Sequence, residues 1–359
     1  MKRIYLSLAL VVLVTNSLMG LGQNFHYAPA YEVTQHGKYG FMDSKCQVII
    51  PIQFDATLGF AEGLASVEMQ GKWGYIDESG SFAIAPQFPT AFPFSEGLAS
   101  VRPNEHSPLF GFIDKTGTVV IKPQFGMPLF FHEGLVEGYG EENRVLNIPL
   151  GYVDKSGKYV IHLHEPGMAI QFLVGFSEGL ARVSMWPAYA DGRVGTATWG
   201  YIDHEGRWVI PRSFLAADDF HEGLAAVADK NGVWGYIDKA GKFVIAPQFE
   251  GAQQFSGDLA AVRVSGKWGF INRQGELVIA PQFEKVGIFK DGMAVIGKGR
   301  KSGYIDRTGR ITVPPTLDSA GQFSDGLAQI LTGSTYGVLD PHGKVLCKIE
   351  LGDNNAPAQ

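Results

Sequence analysis

Cysteine is nearly missing from this chain. Only Cys46 and Cys347 occur in 359 residues, so no disulfide framework organises the fold. Basic blocks are missing too. Lys and Arg are scattered and number 30 against 36 Asp and Glu, a net charge of −6, which argues against a nucleic-acid surface. Helical apolar spacing appears nowhere. No serine or cysteine nucleophile motif is present, and no glycine loop is shaped to cradle phosphate. The apolar run from Ile4 to Val14 is shorter than the roughly 20 residues a membrane helix needs.

That run follows Met1-Lys2-Arg3 and ends in Gly20-Leu21-Gly22. A basic start, a short apolar stretch and small residues at the end mark a secretory signal peptide. We therefore expect residues 1–22 to be cleaved after Gly22, with no stable membrane span remaining and the protein secreted or periplasmic. Removing Lys2 and Arg3 leaves 28 basic against 36 acidic residues, a net of −8.

Glycine, by contrast, is abundant at 46 residues, and it is periodic. The glycine after an aromatic position recurs at Gly40, Gly74, Gly111, Gly151, Gly200, Gly235, Gly269, Gly303 and Gly337. Four of the eight intervals are 34 residues and the others 37, 40, 49 and 35. Such a period marks a solenoid, propeller or array whose units complete one another's cores. The units lie near 37–70, 71–107, 108–147, 148–196, 197–231, 232–265, 266–299, 300–333 and 334–351. The array spans 23–351, and 352–359 is expected to be a disordered tail.

Within a unit, Trp234-Gly235-Tyr236-Ile237 alternates as a strand does. Asp238-Lys239-Ala240-Gly241 suits a type I turn. Phe243-Val244-Ile245-Ala246 is a second strand, ended by Pro247. A connection follows through Phe255 and Gly257, then Leu259-Ala260-Ala261-Val262 as a third strand. The class is all-β. Propeller blades generally have four strands in about 40–45 residues, and rings about 4–8 blades. Nine three-strand units therefore point to an open, twisted, solenoid-like stack, with a closed propeller-like ring as the alternative. Cys46 stands where other units place a turn glycine, and Cys347 where the sixth places Ile245. They read as a turn substitute and a buried small residue, or as a staple if the array closes.

The phrases Gly71-Lys72-Trp73-Gly74-Tyr75-Ile76-Asp77, Ile245-Ala246-Pro247-Gln248-Phe249 and Phe94-Ser95-Glu96-Gly97-Leu98-Ala99 resemble the WG, or KWG, repeat family of bacterial proteins. The likeness covers nearly all of residues 37–347. It implies a repeat-built protein, often exported or surface-associated, with no general catalytic residues to carry over. The motif weakens where Tyr39, Phe110, Leu150, Ser302 and Tyr336 replace Trp.

The polar repeats have structural readings. Asp43, Asp77, Asp114, Asp154, Asp203, Asp238, Asp306 and Asp340 supply one carboxylate per turn, too few for calcium, and are expected to cap turns. Glu62, Glu96, Glu133, Glu178 and Glu222 precede turn glycines and are expected to form a row of identical turn residues rather than a catalytic pair. Trp73, Trp199, Trp234 and Trp268 are expected in cores between units rather than in a sugar-stacking ladder. His162-Leu163-His164-Glu165 is the one local metal-like cluster and lacks further ligands. We expect no catalytic residue, metal or cofactor.

The departures from the repeat carry the functional signal. Six residues separate Val262 from Trp268, but nine separate Val101 from Phe110, twelve Gly138 from Leu150, and sixteen Val183 from Trp199. Insertions at one slot of successive repeats emerge on one face, commonly the binding face. These hairpins, in units 2–5, carry His106, Arg144, Trp186, Tyr189 and Arg193, residue types that anchor interfaces. The expected function is a non-catalytic extracytoplasmic scaffold binding a protein or glycan partner at the cell envelope. Rival readings are a cell-wall or carbohydrate-binding module and a secreted hydrolase.

Overall fold

The computed structural model describes residues 30–139, 149–187 and 195–351. Strands form nine antiparallel sheets in chain order. We call them blades 1 to 9: residues 31–54, 56–88, 90–125, 135–162, 168–214, 216–249, 251–283, 285–317 and 319–350. Seven have four strands, and blades 1 and 4 have three among the described residues. The first strand is innermost and packs on the preceding blade, as Thr90–Ser95 does on Ala56–Ala61 and Leu64–Met69. The fourth is outermost, exposing residues such as Val244 and Val278.

The expected open stack is therefore wrong: the blades close into a ring, a nine-bladed β-propeller. Blade 9 packs on blade 1 through an apolar cluster that includes Val33, Met42, Tyr336 and Val338. Gln329 Nε2 donates to the Glu32 carbonyl at 2.6 Å, and a disulfide joins Cys46 to Cys347. The three-strand unit is corrected with it. The stretch read as a connection, Gly251–Ser256, is the innermost strand of blade 7. It is irregular because its pairing with Leu259–Val264 shifts register between Ala252 and Phe255, so no clean alternation announces it.

The Trp-Gly signature has a steric cause. In blade 2, Trp73 pairs with Phe88 and Tyr75 with Ile84, so the outer strand holds two extra residues against Gly74. That bulge folds its backbone over the glycine. A β-carbon on Gly74 would lie 2.6 Å from the Ile84 carbonyl oxygen and 2.7 Å from Pro86 N. Proline is accommodated in the bulge, on the outermost strand, where no ladder N–H is needed.

Neighbouring blades meet through three recurring contacts. The first is an aromatic pair, such as Tyr75 with Phe94 at 4.8 Å and Phe270 with Phe289 at 4.7 Å. Eight such pairs run from Phe41–Phe60 to Tyr304–Phe323, joining every consecutive pair of blades from 1–2 to 8–9. The second is a tyrosine hydroxyl donating to the next blade's inner chain, as Tyr236 does to the Gln253 carbonyl at 2.8 Å. The third sets an outer-strand Ile or Val against the next blade's turn glycine, as Ile84 on Gly117 and Val313 on Gly343. At the junction of blades 9 and 1, the third position is where Cys347 meets Cys46.

Candidate functional site

Chain direction sorts the loops between two faces. One carries the Glu-Gly turns joining first to second strands and the Asp turns joining third to fourth. The other carries the hairpins joining second to third strands and the links between blades.

The first face is spent on structure. Each Asp of the turn series accepts backbone N–H bonds from positions two and four onward, as Asp77 Oδ1 does from Ser79 at 2.9 Å and Ser81 at 3.0 Å. Such bonds favour the charged form and hold the Asp77 carboxyl below its usual range, the Ser79 hydroxyl contributing most. Turn capping is thus what these residues do. The Glu series is a chain of latches. Each Glu takes a positive φ, as Glu96 does at 51°, and its carboxylate accepts the N–H of the equivalent glycine one blade on. Glu96 accepts from Gly134 at 2.8 Å and Glu178 from Gly223 at 3.0 Å. A base from that next blade completes the latch: Lys155 Nζ donates to the Glu96 carbonyl at 2.9 Å and lies 3.1 Å from its carboxylate. These carboxylates are paired and capped, which suits neither acid–base catalysis nor an acidic binding stripe.

The tryptophans also behave as core. Trp73 is 9% exposed, and Trp199, Trp234 and Trp268 pack half-buried against the apolar clusters. The His162 cluster does not gather ligands. His162 stacks on Tyr159, and Glu165 pairs with Arg212 at 2.5 Å. Among the described residues no group of three or more His, Cys, Asp or Glu is placed to hold a metal ion.

The second face is uneven around the ring. In its regular part, an acidic residue in the link between blades caps the neighbouring hairpin. Asp55 accepts from Gln70 N at 2.7 Å, Glu250 from Gly266 N at 2.8 Å, Glu284 from Gly299 N at 2.9 Å and Asp318 from Gly333 N at 2.8 Å. This acid is lost ahead of blades 3, 4 and 6, where Pro89, Gly126 and Leu215 take its position, so its loss does not follow hairpin length alone. Pro89 leads into blade 3, and its hairpin organises itself instead, Asn104 Oδ1 accepting from His106 N and Ser107 N at 3.0 Å.

Of the five residues singled out in the sequence, His106 is exposed at the tip of the blade 3 hairpin. Its neighbour Glu105 reaches back to Lys72 of blade 2 at 2.5 Å. Trp186 lies half-buried at the base of the blade 5 hairpin, paired across the sheet with Ala169. Arg144, Tyr189 and Arg193 lie outside the described residues. Successive blades present the bases of the three hairpins on one face, so His106 and Trp186 share that face two blades apart.

Sequence reasoning missed two features of blade 5. Phe172 is 53% exposed and stacks parallel to Trp199, with centroids 6.1 Å apart. It sits opposite Ser184, where other first strands place Ala56, Thr90 or Gly251. Aligning the repeats at that position would have revealed it. The second is a charge pair between blades. Arg182 Nε donates to Asp219 Oδ1 at 2.8 Å, and its guanidinium lies over Trp199 at 5.4 Å. Asp219 is only 5% exposed. The same register position holds Glu32 and Glu137 in blades 1 and 4. Burial pushes each of these two carboxyls up to about 7, the Asp219 charge adding to the effect at Glu137.

A family model described as "WG containing repeat" matches residues 39–73, 73–105, 110–136, 199–233, 234–268, 268–301 and 303–336. The chain belongs to this family. The matches leave out 137–198, the stretch with the two longest hairpins. No curated protein matches the chain. Among solved structures it is similar to BamB from Moraxella catarrhalis, 11% identical over 88% of this chain and 98% of that one, with a TM-score of 0.43. It is also similar to the WD40 β-propeller domain of Doa1, 11% identical over 52% of this chain and 70% of that one, at 0.28. HIRA(644-1017) is 10% identical over 44% of this chain and 57% of that one, also at 0.28. At these scores the propeller assignment rests on the strand order and the closed ring themselves.

Proposed function

We propose that this WG-repeat propeller is a non-catalytic scaffold working outside the cytoplasm, which holds a protein or glycan partner on the hairpin face of blades 3 to 5. The observation that carries this is the concentration of irregularity. Three consecutive blades lengthen the same hairpin, while the opposite face keeps its latches almost unbroken around the ring. Repeat scaffolds vary where they bind and repeat where they pack. The carboxylates that suggested a hydrolase are engaged in turns and latches. Phe172 favours a second reading, in which a sugar ring stacks on that exposed ring, although the half-buried tryptophans offer no ladder for a long glycan.

The test is to shorten all three hairpins to the regular six-residue spacing and compare the variant with intact protein in a pull-down from the native envelope fraction. Loss of a captured partner with little change in melting temperature is the expected result, since surface loops add mainly closure entropy. Equal capture by both proteins would refute the assignment of this face. Sequencing the exported protein should give a start near Leu21 or Gln23; a start at Met1 would refute the cleaved leader.

A further inference from the structure

Among the described residues, the junction of blades 9 and 1 lacks the two contacts that all eight other junctions share, the aromatic pair and the Ile or Val set on a turn glycine. Eight aromatic pairs bridge the consecutive blades, but blade 9 has Val338 at that position, and no first strand precedes Tyr31–Gln35 in the described part of blade 1. Val338 has no hydroxyl to donate to the next blade, as Phe41, Phe112 and Phe270 have none at the same position. The last turn, Asp325-Gly326, is the recipient of a latch from Asp291 at 2.9 Å, yet blade 1 shows no described Glu-Gly turn for Asp325 to hold. A cavity of about 260 Å³ lies at the junction, lined by Glu32, Thr34, Tyr39, Ser319, Gln329 and Tyr336.

What replaces these contacts is covalent. Elsewhere an outer-strand Ile or Val presses on the next blade's turn glycine. Here Cys347 occupies the outer-strand position and Cys46 the turn position, with φ at 58° and Cα atoms 5.8 Å apart. The bond spans 301 residues of sequence, so it ties the two ends of the array.

We propose that the Cys46–Cys347 disulfide is a redox clasp whose reduction opens the ring at this junction alone. Cys46 is 7% exposed, whereas Cys347 is half-buried on the outer strand. A dithiol reductant therefore attacks Cys347 Sγ. One of its thiolates forms a mixed disulfide with Cys347 and Cys46 leaves as thiolate, which takes up a proton. The reductant's second thiolate then displaces Cys347, which is protonated in turn. The reductant ends as a disulfide, having supplied two electrons, and both cysteines end as thiols. Among the described residues, the apolar cluster around Val33 and Val338 and the Gln329 bond to Glu32 then hold the junction. Opening would part this cluster, while the other eight interfaces keep their aromatic pairs.

Hydrogen exchange on the oxidised full-length protein, before and after dithiothreitol, tests this. Amides in 31–54 and 319–351 should exchange about tenfold faster once reduced, with those in blades 3 to 8 changing less than about twofold, because opening is local to the weakest contacts. Reoxidation should restore protection. The double variant Cys46→Ser with Cys347→Ser should behave like the reduced protein without any reductant. Unchanged protection at both ends on reduction would overturn the clasp. So would an equal loss around the whole ring, which would make the bond a general staple, or a double variant as protected as the oxidised protein.

Discussion

At the scale of single residues, one register position on the second strand shows how a repeat accommodates private chemistry. It faces the next blade and holds Ala226 and Ala261 in the regular blades, Gln329 at the junction, Arg182 in blade 5, and Glu32 and Glu137 in blades 1 and 4. Nothing in the repeat pattern distinguishes a buried position of this kind from an exposed one, because polar and apolar residues alternate there among the copies. The two glutamates have a consequence for stability. A carboxyl normally near 4.5 that titrates near 7 when folded binds its proton more tightly in the folded state. Its folded form is therefore favoured at low pH, and stability falls as pH rises from about 4.5 through 7. Glu137→Gln fixes the neutral form. Relative to the parent, it should gain about 1–3 kcal/mol between pH 5 and pH 8. Chemical denaturation at both pH values measures this; a difference between the two proteins that does not change with pH would show that Glu137 is solvated.

At the scale of the element, the most informative residue is the glycine of the Trp-Gly pair. Its recurrence was legible in the sequence, but its cause was not, since the bulge that crowds it belongs to a different strand. In blade 6 a β-carbon on Gly235 would meet the Ile245 carbonyl oxygen at 2.6 Å and Pro247 N at 2.8 Å. In blade 9 the outer strand lacks the proline and pairs Tyr336 with Ile349 without that bulge. There the nearest atom to a β-carbon on Gly337 is the Cys347 oxygen, at 3.2 Å. Gly235→Ala should thus destabilise by about 1–3 kcal/mol or more through overpacking against backbone, and Gly337→Ala by clearly less. Matching denaturation midpoints would mean the bulge moves aside freely. The innermost strand was the element least visible in advance. Its hydrogen bonds break register, and in blades 6, 8 and 9 it shrinks to Ala216–Ala217, Lys285–Val286 and Ser319–Ala320. So short a strand carries no period to detect.

At the scale of the molecule, open stack and closed ring share every local rule and differ only at one junction. The unit length argued for the stack because the fourth strand was hidden in a connection. The decisive hint was the pair of cysteines, which occupy the two positions that touch between all other blades; two residues in 359 declare the closure that nine repeats do not. The hairpin face was legible as insertions at one slot, because insertion length survives any uncertainty about strands. The Arg182–Asp219 pair was not, because its meaning depends on which blade lies beside it, and Phe172 stands out only once the innermost strands are aligned. Closure also predicts how damage combines. Glu62 accepts from Gly97 N at 3.0 Å between blades 2 and 3, and Glu222 from Gly257 N at 2.6 Å between blades 6 and 7. Glu62→Ala and Glu222→Ala each remove one half-exposed latch and should cost about 0.5–1 kcal/mol. The sites share no partner, so in a ring of nearest-neighbour interfaces the double variant should equal the sum within about 0.5 kcal/mol. A rigid hoop that passes strain from blade to blade would instead show a larger coupling. Denaturant unfolding of the two single variants and the double, in the oxidised protein, separates these outcomes.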